Sequence, residues 1–448
     1  MNRYVRTTLV TLALLAVASF AVAQTLTITF RGIAGGVNDL QVQWVTDYVI
    51  PEFQAANPGV TVELIEFGGS DEALKEQYAL DLSVGAGADV MGFDGFWIPE
   101  FVEAGLLEPL SASSAAANDW EGWDHIPEGL QALAAFDGER YGIALGTDFR
   151  MIHVRTDILE AAGIDAANWQ PTSWEELLDA ARTVKVANPA SFPLQLNAGT
   201  AMGEATTMQG YYMALLGTGH FLLDDEGHWI VRSQGILDTL ELYQTIYVDE
   251  QLGDARLQLL QDGRNQSFAN FRDGATALLV EGDYFYRGPT APGQEFEVAD
   301  RDAVMSWAKM PAQEPGAGIN GQDFVTISGG TGFVLNPNSS NPELAWELLA
   351  FMNSREALEA FQQLQPRIRV RDDVPVSDDV FLTETAAALG PFTTARPNQS
   401  VYAEVSYEAQ LMTERVVSGE MSPMQAMDAY AQAVTDLVGA DMVADLLD

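Results

Sequence analysis

The chain has 448 residues, no cysteine, and 64 acidic against 22 basic side chains, for a formal net charge of −42. No disulfide framework and no lipid-modified cysteine is possible, and so acidic a surface repels nucleic acid and anionic lipid and disfavours an anionic ligand unless a local basic pocket exists. The length exceeds what one hydrophobic core serves, ~250–300 residues, so two lobes are expected.

Arg3 and Arg6 precede an apolar run from Leu9 to Val22, and Ala21-Val22-Ala23 is a small-x-small cleavage pattern. Residues 1–23 therefore read as a secretory signal peptide. The run is short for a membrane span of about 20 residues, and none follows, so the mature chain is expected to begin near Gln24 and to diffuse in a periplasm without being membrane-embedded. Only Lys75, Lys185 and Lys309 are lysines, a bias that fits a salty habitat and a GC-rich genome equally.

Leu26–Phe30 alternates as a strand does, Val42–Ala55 has helical spacing, and Val60–Phe67 returns to strand after the Asn57-Pro58-Gly59 turn. Ala88–Phe93 is an apolar run suited to a strand covered on both faces, Asp94-Gly95 a turn, and Pro99 a helix start that Gly105 ends. Strands alternating with helices predict an α/β fold with a parallel sheet and crossover helices. After Gly142–Leu145 the chain passes Gly146-Thr147-Asp148 into a second run at Met151–Val154, which predicts the first crossing between lobes.

Thr172 with Glu175 and Ser173 with Glu176 offer two overlapping capping boxes before an amphipathic helix through Trp174, Leu177, Leu178, Ala181 and Val184. Ala303–Met310 is expected to carry the chain back to the first lobe, where Gly332–Leu335 forms a strand. Asn341 as N-cap and Pro342 at the first helical position open the next helix. A third crossing near Gln365–Val370 leads to helices on the second lobe, the last opening at Ser422-Pro423 with Gln425 completing a capping box. The expected lobes are 24–145 plus 310–366 and 146–309 plus 367–448, joined by an interlobe hinge of several crossings.

In open α/β sheets ligands collect beyond the carboxyl ends of the strands. Asp94, Phe96 and Trp97 lie there: a carboxylate can accept sugar hydroxyls and an aromatic face can cover C–H groups. Which of the three faces a ligand stays open, as does the plain alternative of a strand-turn-helix with one exposed Trp.

The segment Ala88–Leu110 resembles the signature region of bacterial extracellular solute-binding proteins that serve sugar ABC transporters, the maltose and multiple-sugar group. The likeness continues through Tyr141–Asp157, Ala275–Tyr284, Ser328–Phe351 and Arg396–Tyr402. It implies a two-lobe periplasmic-binding-protein fold, type II-like. It also implies a carbohydrate ligand, an oligosaccharide by preference, ABC transporter permease subunits as partners, a monomer, and no cofactor or metal. Asp148 matches a carboxylate that holds ligand hydroxyls in relatives, with Arg150 orienting it; the alternative is an ion pair tightening a loop. Asp283 and Tyr284 end another strand, with Tyr284 where relatives carry Trp, so the sugar's identity is in doubt. Ser328-Gly329-Gly330-Thr331-Gly332 brings backbone donors near a ligand, Gly330 among them, or makes a tight turn. Arg396 matches a cleft position or braces its loop, and Asp39, after Gly35-Gly36, is a further candidate from the first lobe.

Trp44, Trp120, Trp123, Trp169 and Trp229 are expected in cores and loops. His125, His153, His220 and His228 show no metal spacing, His153 reading as a core residue. There is no Gly-x-Ser-x-Gly elbow, and Asp224–Gly227 reads as a hairpin turn. The alternatives are a binding protein for a non-sugar solute, such as a polyol or peptide, and a secreted carbohydrate-active enzyme.

Overall fold

The computed structural model describes residues 24–447; the expected signal peptide lies outside them. The chain enters through β1 (Gln24–Arg31), a helix α1 that starts at Asp39–Trp44 and runs through a π turn (Val45–Val49) to Ile50–Ala56, β2 (Val60–Phe67), α2 (Asp71–Ser83), β3 (Val90–Asp94) and α3 (Ile98–Glu103). It crosses from β4 (Gly142–Thr147) to β5 (Arg150–Arg155), then continues through α4 (Trp174–Ala187), β6 (Leu194–Gln195), α5 (Gly263–Arg272), β7 (Leu278–Gly282) and β8 (Met305–Ala308). It returns from β9 (Phe324–Ser328) to β10 (Gly330–Leu335), α6 (Pro342–Met352) and α7 (Arg355–Leu364), and ends with α8 (Val380–Leu389), β11 (Thr393–Ala395), α9 (Tyr402–Val417) and α10 (Pro423–Val438).

The first lobe is built on a sheet ordered β2-β1-β3-β10-β4. β1 pairs in parallel with β2 and β3, and β10 runs antiparallel between β3 and β4. Successive residues of β3 serve opposite faces. Val90 joins Ile28, Trp44, Phe333 and Phe361 on one side, while Met91 and Phe93 join Tyr78, Trp97 and Phe101 on the other, as a strand covered on both faces requires.

The second lobe surrounds a sheet ordered β8-β5-β7-β6, with a core of Ile152, Trp174, Tyr211, Tyr243, Val280, Tyr402 and Tyr430. α4 buries Trp174, Leu177, Leu178, Ala181 and Val184 as its spacing predicts. Of the two capping boxes, Ser173 Oγ accepts the Glu176 amide, but the Glu176 carboxylate turns back to the Thr172 amide and hydroxyl. Glu175 instead pairs with Arg182. Asn341 sits at the N-cap of α6 without a side-chain cap bond, whereas the Ser422–Gln425 box forms.

Two expectations are corrected. Val370 and Val374 belong to the first lobe's core and the Asp372 amide donates to the His125 carbonyl, so the third crossing falls after Val374 and not near Gln365–Val370. Met305–Ala308 pairs antiparallel with β5 in the second lobe, and Met310, Val325 and Ile327 belong to that lobe's core. The return crossing is therefore at Ser328–Gly330 and not near residue 309. An apolar alternating run tells that a strand forms, not which of two sheets receives it.

The two central crossings are clasped side by side. Thr147 Oγ1 donates to Gly329 O at 2.9 Å, and the Gly329 amide donates to Asp148 Oδ1 at 2.9 Å. Arg150 Nη1 reaches Asp148 Oδ1 and Ile327 O, while Thr326 Oγ1 bonds both the amide and the carbonyl of Arg150. Among the described residues no helix is long and apolar enough to cross a membrane.

Candidate functional site

The site forms where the carboxyl ends of β3 and β4 in the first lobe meet that of β7 and other segments of the second lobe. After Asp94 the chain makes one 3-10 turn, Gly95–Trp97. Gly95 is required there, because a Cβ would lie 2.1 Å from the Leu133 carbonyl oxygen. The turn sends successive side chains apart. Trp97 is 3% exposed and packs edge-on to Phe93 and near Tyr78, so its indole belongs to the lobe core and not to the cleft. Phe96 instead meets both lobes' cores and lies edge-on to Tyr402, 5.6 Å away.

Arg396, in the segment after β11, joins the lobes. Its Nη2 donates to Asp94 Oδ1 at 2.6 Å, its Nη1 to Glu204 Oε1 at 3.2 Å, and its guanidinium lies 4.2 Å over the Phe96 ring. Tyr402 and Ser406 also donate to Glu204. Burial pushes the Asp94 carboxyl up to about 6; Arg396 opposes this, while Glu204, Asp71 and Asp148 reinforce it. Charges from both lobes thus face one small space.

Asp148 spends Oδ1 on Arg150 and the Gly329 amide and has no protein donor to Oδ2 among the described residues. Its side chain is 19% exposed, against 6% for that of Arg150. An anchored carboxylate with one open oxygen is what a hydroxylated ligand needs. Tyr284 follows β7, its hydroxyl donating to Glu281 and accepting from Arg264 and Gln209.

Three other candidates have their groups taken up within the protein. Asp283 is wholly buried and accepts from Arg287 Nε at 2.6 Å and the Phe149 amide at 3.2 Å, pinning β7 to the hinge; desolvation raises its pKa. Gly330 is packed so tightly that a Cβ would stand 2.5 Å from Leu133 Cδ1, so its smallness serves strand packing. Asp39 closes its own turn, accepting from the Gly35 amide and Gln43 at 2.6 Å each.

The cleft also contains residues that the sequence did not single out. Asp71, at the start of α2, pairs with Arg31 at 3.0 Å and has a side chain 52% exposed; its pKa is nevertheless raised, chiefly by desolvation. Glu72 accepts from the Glu204 amide across the cleft at 3.3 Å. Asp71 and Glu72 sit in a polar helix start, a pattern shared with ordinary N-terminal turns. Outside the cleft, on the first lobe, His125, already noted in the sequence, meets Asp372 and Asp373 within reach of a common ion, although Arg371 already holds Asp373 in a two-bond fork.

The sequence profile of the family described as bacterial extracellular solute-binding protein matches residues 39–359. Among solved structures, the chain is similar to an ABC transporter solute-binding protein of Thermotoga lettingae TMO bound with alpha-D-tagatose: 25% identity, TM-score 0.77, covering 93% of this chain and 100% of that one. It also resembles maltose-bound MalE3 of T. maritima, at 19% identity and TM-score 0.76, covering 93% and 100%. A third is the GacH receptor of Streptomyces glaucescens GLA.O, studied with acarbose, at 19% identity and TM-score 0.75, covering 93% and 99%. With a two-lobe fold, a clasped hinge and a profile that spans most of its length, the chain belongs to the family of bacterial extracellular solute-binding proteins.

Proposed function

We propose that this protein captures a neutral carbohydrate, by preference an oligosaccharide, in the cleft between its lobes outside the cytoplasm and delivers it to the permease subunits of an ABC importer. The observation that carries the reading is the composition of the cleft. Asp94, Asp148 and Arg396 supply charge-assisted hydrogen bonding, Phe96 and Tyr284 supply ring faces, and the acidic groups disfavour an anionic ligand. Similar proteins are bound with tagatose, maltose or acarbose, which supports this class. Ligand bridges the lobes and stabilises the closed form by its differential contacts.

The test is isothermal titration of the mature protein against D-tagatose, maltose, longer malto-oligosaccharides, polyols, a dipeptide and a sugar phosphate. A dissociation constant near micromolar, about −8 kcal/mol, for at least one unphosphorylated sugar is the expected result. Binding only to the polyols or the peptide, or release of smaller sugars during incubation, would overturn it.

A further inference from the structure

Arg264 projects from α5 over the carboxyl end of β7. Its Nε and Nη2 hold the two oxygens of Glu281 at 3.1 and 2.9 Å, and Nη2 also donates to the Tyr284 hydroxyl at 2.9 Å. Glu281 is wholly buried and accepts the Tyr284 hydroxyl proton at 2.6 Å. Burial alone would raise its pKa, but Arg264, Tyr284 and the Gly282 amide hold it below the ordinary value. Gln209, inside a π turn (Thr207–Tyr211), donates through Nε2 to the same hydroxyl.

A phenolic hydroxyl that donates once and accepts twice has no capacity left. Tyr284 can therefore offer a ligand only its ring, which is held down over Gly282: a Cβ there would lie 2.2 Å from Tyr284 Cε1. Two polar atoms of the cluster remain unspent. Arg264 Nη1 has no hydrogen-bond partner among the described residues, on a side chain 27% exposed. Gln209 Oε1 is buried without a partner among the described residues, an unfavourable state until it is satisfied. The guanidinium and the amide meet at one hydroxyl. A ligand hydroxyl, which donates and accepts at once, completes both.

We propose that Arg264 is a specificity-determining ligand contact: Nη1 donates to a ligand hydroxyl, which in turn donates to Gln209 Oε1, while Glu281 holds the guanidinium in place. The inference rests on the carbohydrate reading above. Tyr284 supplies the platform and Arg264 the directional bond, so hydroxyl selectivity at this end comes from a side chain two elements away from the aromatic.

The test begins with the wild-type protein and the sugar panel; if no sugar binds, the carbohydrate reading fails and the inference with it. For the sugar that binds, Arg264→Gln alone would leave Glu281 buried and unpaired, so the paired variant Arg264→Gln/Glu281→Gln replaces the ion pair by two amides. Arg264→Lys, which keeps the charge and loses the fork, is the second variant. Both are expected to bind at least tenfold more weakly, with a melting temperature close to that of the wild type. Deoxy analogues of the same sugar separate contact from scaffold. One analogue should lose affinity for the wild type but bind both variants as well as the parent sugar does. Unchanged affinity in the variants, or equal loss for every analogue in all three proteins, would overturn the role of Arg264 and leave the carbohydrate reading standing.

Discussion

Asp148 Oδ1 is occupied while Oδ2 has no protein donor among the described residues, and this split determines which substitution is informative. Asp148→Asn keeps an acceptor for the Gly329 amide but removes the charge, and is expected to weaken sugar binding tenfold to a hundredfold, in line with about 1.5–3 kcal/mol for a charge-assisted bond. Both changes remove the ion-pair partner of Arg150, itself 5% exposed, but Asp148→Ala also removes the acceptor for Arg150 Nη1 and the Gly329 amide, so it is expected to cost more stability than Asp148→Asn. Titration calorimetry and urea unfolding separate the two effects; an Asn variant with wild-type affinity would remove Asp148 from the site. Trp97 should show the converse pattern. Its indole is core, so Trp97→Ala is expected to cost about 3–5 kcal/mol in unfolding while the folded fraction binds sugar normally. A selective loss of affinity would return Trp97 to the cleft. Asp94, Phe96 and Trp97 were equal candidates in the sequence because a three-residue turn has no period to read. Only the 3-10 geometry separates their directions.

At the scale of elements, the β5–β7 pair carries a pH-sensitive joint. His153 is wholly buried, its Nε2 bonds Gly282 O at 2.9 Å, and its ring lies against Phe285 and Phe381. Burial depresses its pKa to about 4, against 6.5 in the unfolded chain. The depressed value sets the sign: between those two pH values the unfolded chain binds the extra proton, so stability is full above about 6.5 and is lost as pH falls towards 4. The loss should approach about 3 kcal/mol, measured by urea unfolding at pH 7 and pH 4.5, and His153→Gln should flatten that difference. The strands and helices themselves were largely readable. β1, α1, β2, β3, α4 and the Ser422 cap follow from alternation, helical spacing and capping chemistry. The destination of the 303–328 segment was not, because β8 and β9 are apolar enough to complete either sheet. Arg264 and Gln209 were not readable either: their spare atoms exist only once α5, β7 and a π turn have converged on Tyr284.

For the whole molecule, the contact between lobes is itself polar. Arg396 spans Asp94 and Glu204, so the lobes are held together by an ion-pair bridge in addition to any ligand. Arg396→Met should open the empty protein, read as a larger radius of gyration in solution scattering; an unchanged radius would count against the bridge. The Asp94 carboxyl, pushed up to about 6 in the closed cleft, takes up a proton on closure between pH ~4 and ~6 that an exposed aspartate would not. Closure is therefore favoured in acid and loses that help as pH rises through 6, and Asp94→Asn should abolish the dependence of the radius on pH. The bridge also has a consequence for time. A cleft that rests shut must first open before a solute enters, so only the open fraction takes part in capture and the observed association rate falls with it. Each kcal/mol in the bridge divides that fraction by about five. In stopped-flow mixing, Arg396→Met should capture sugar faster than the wild type even if it releases it sooner, which makes this arginine a brake on scavenging speed.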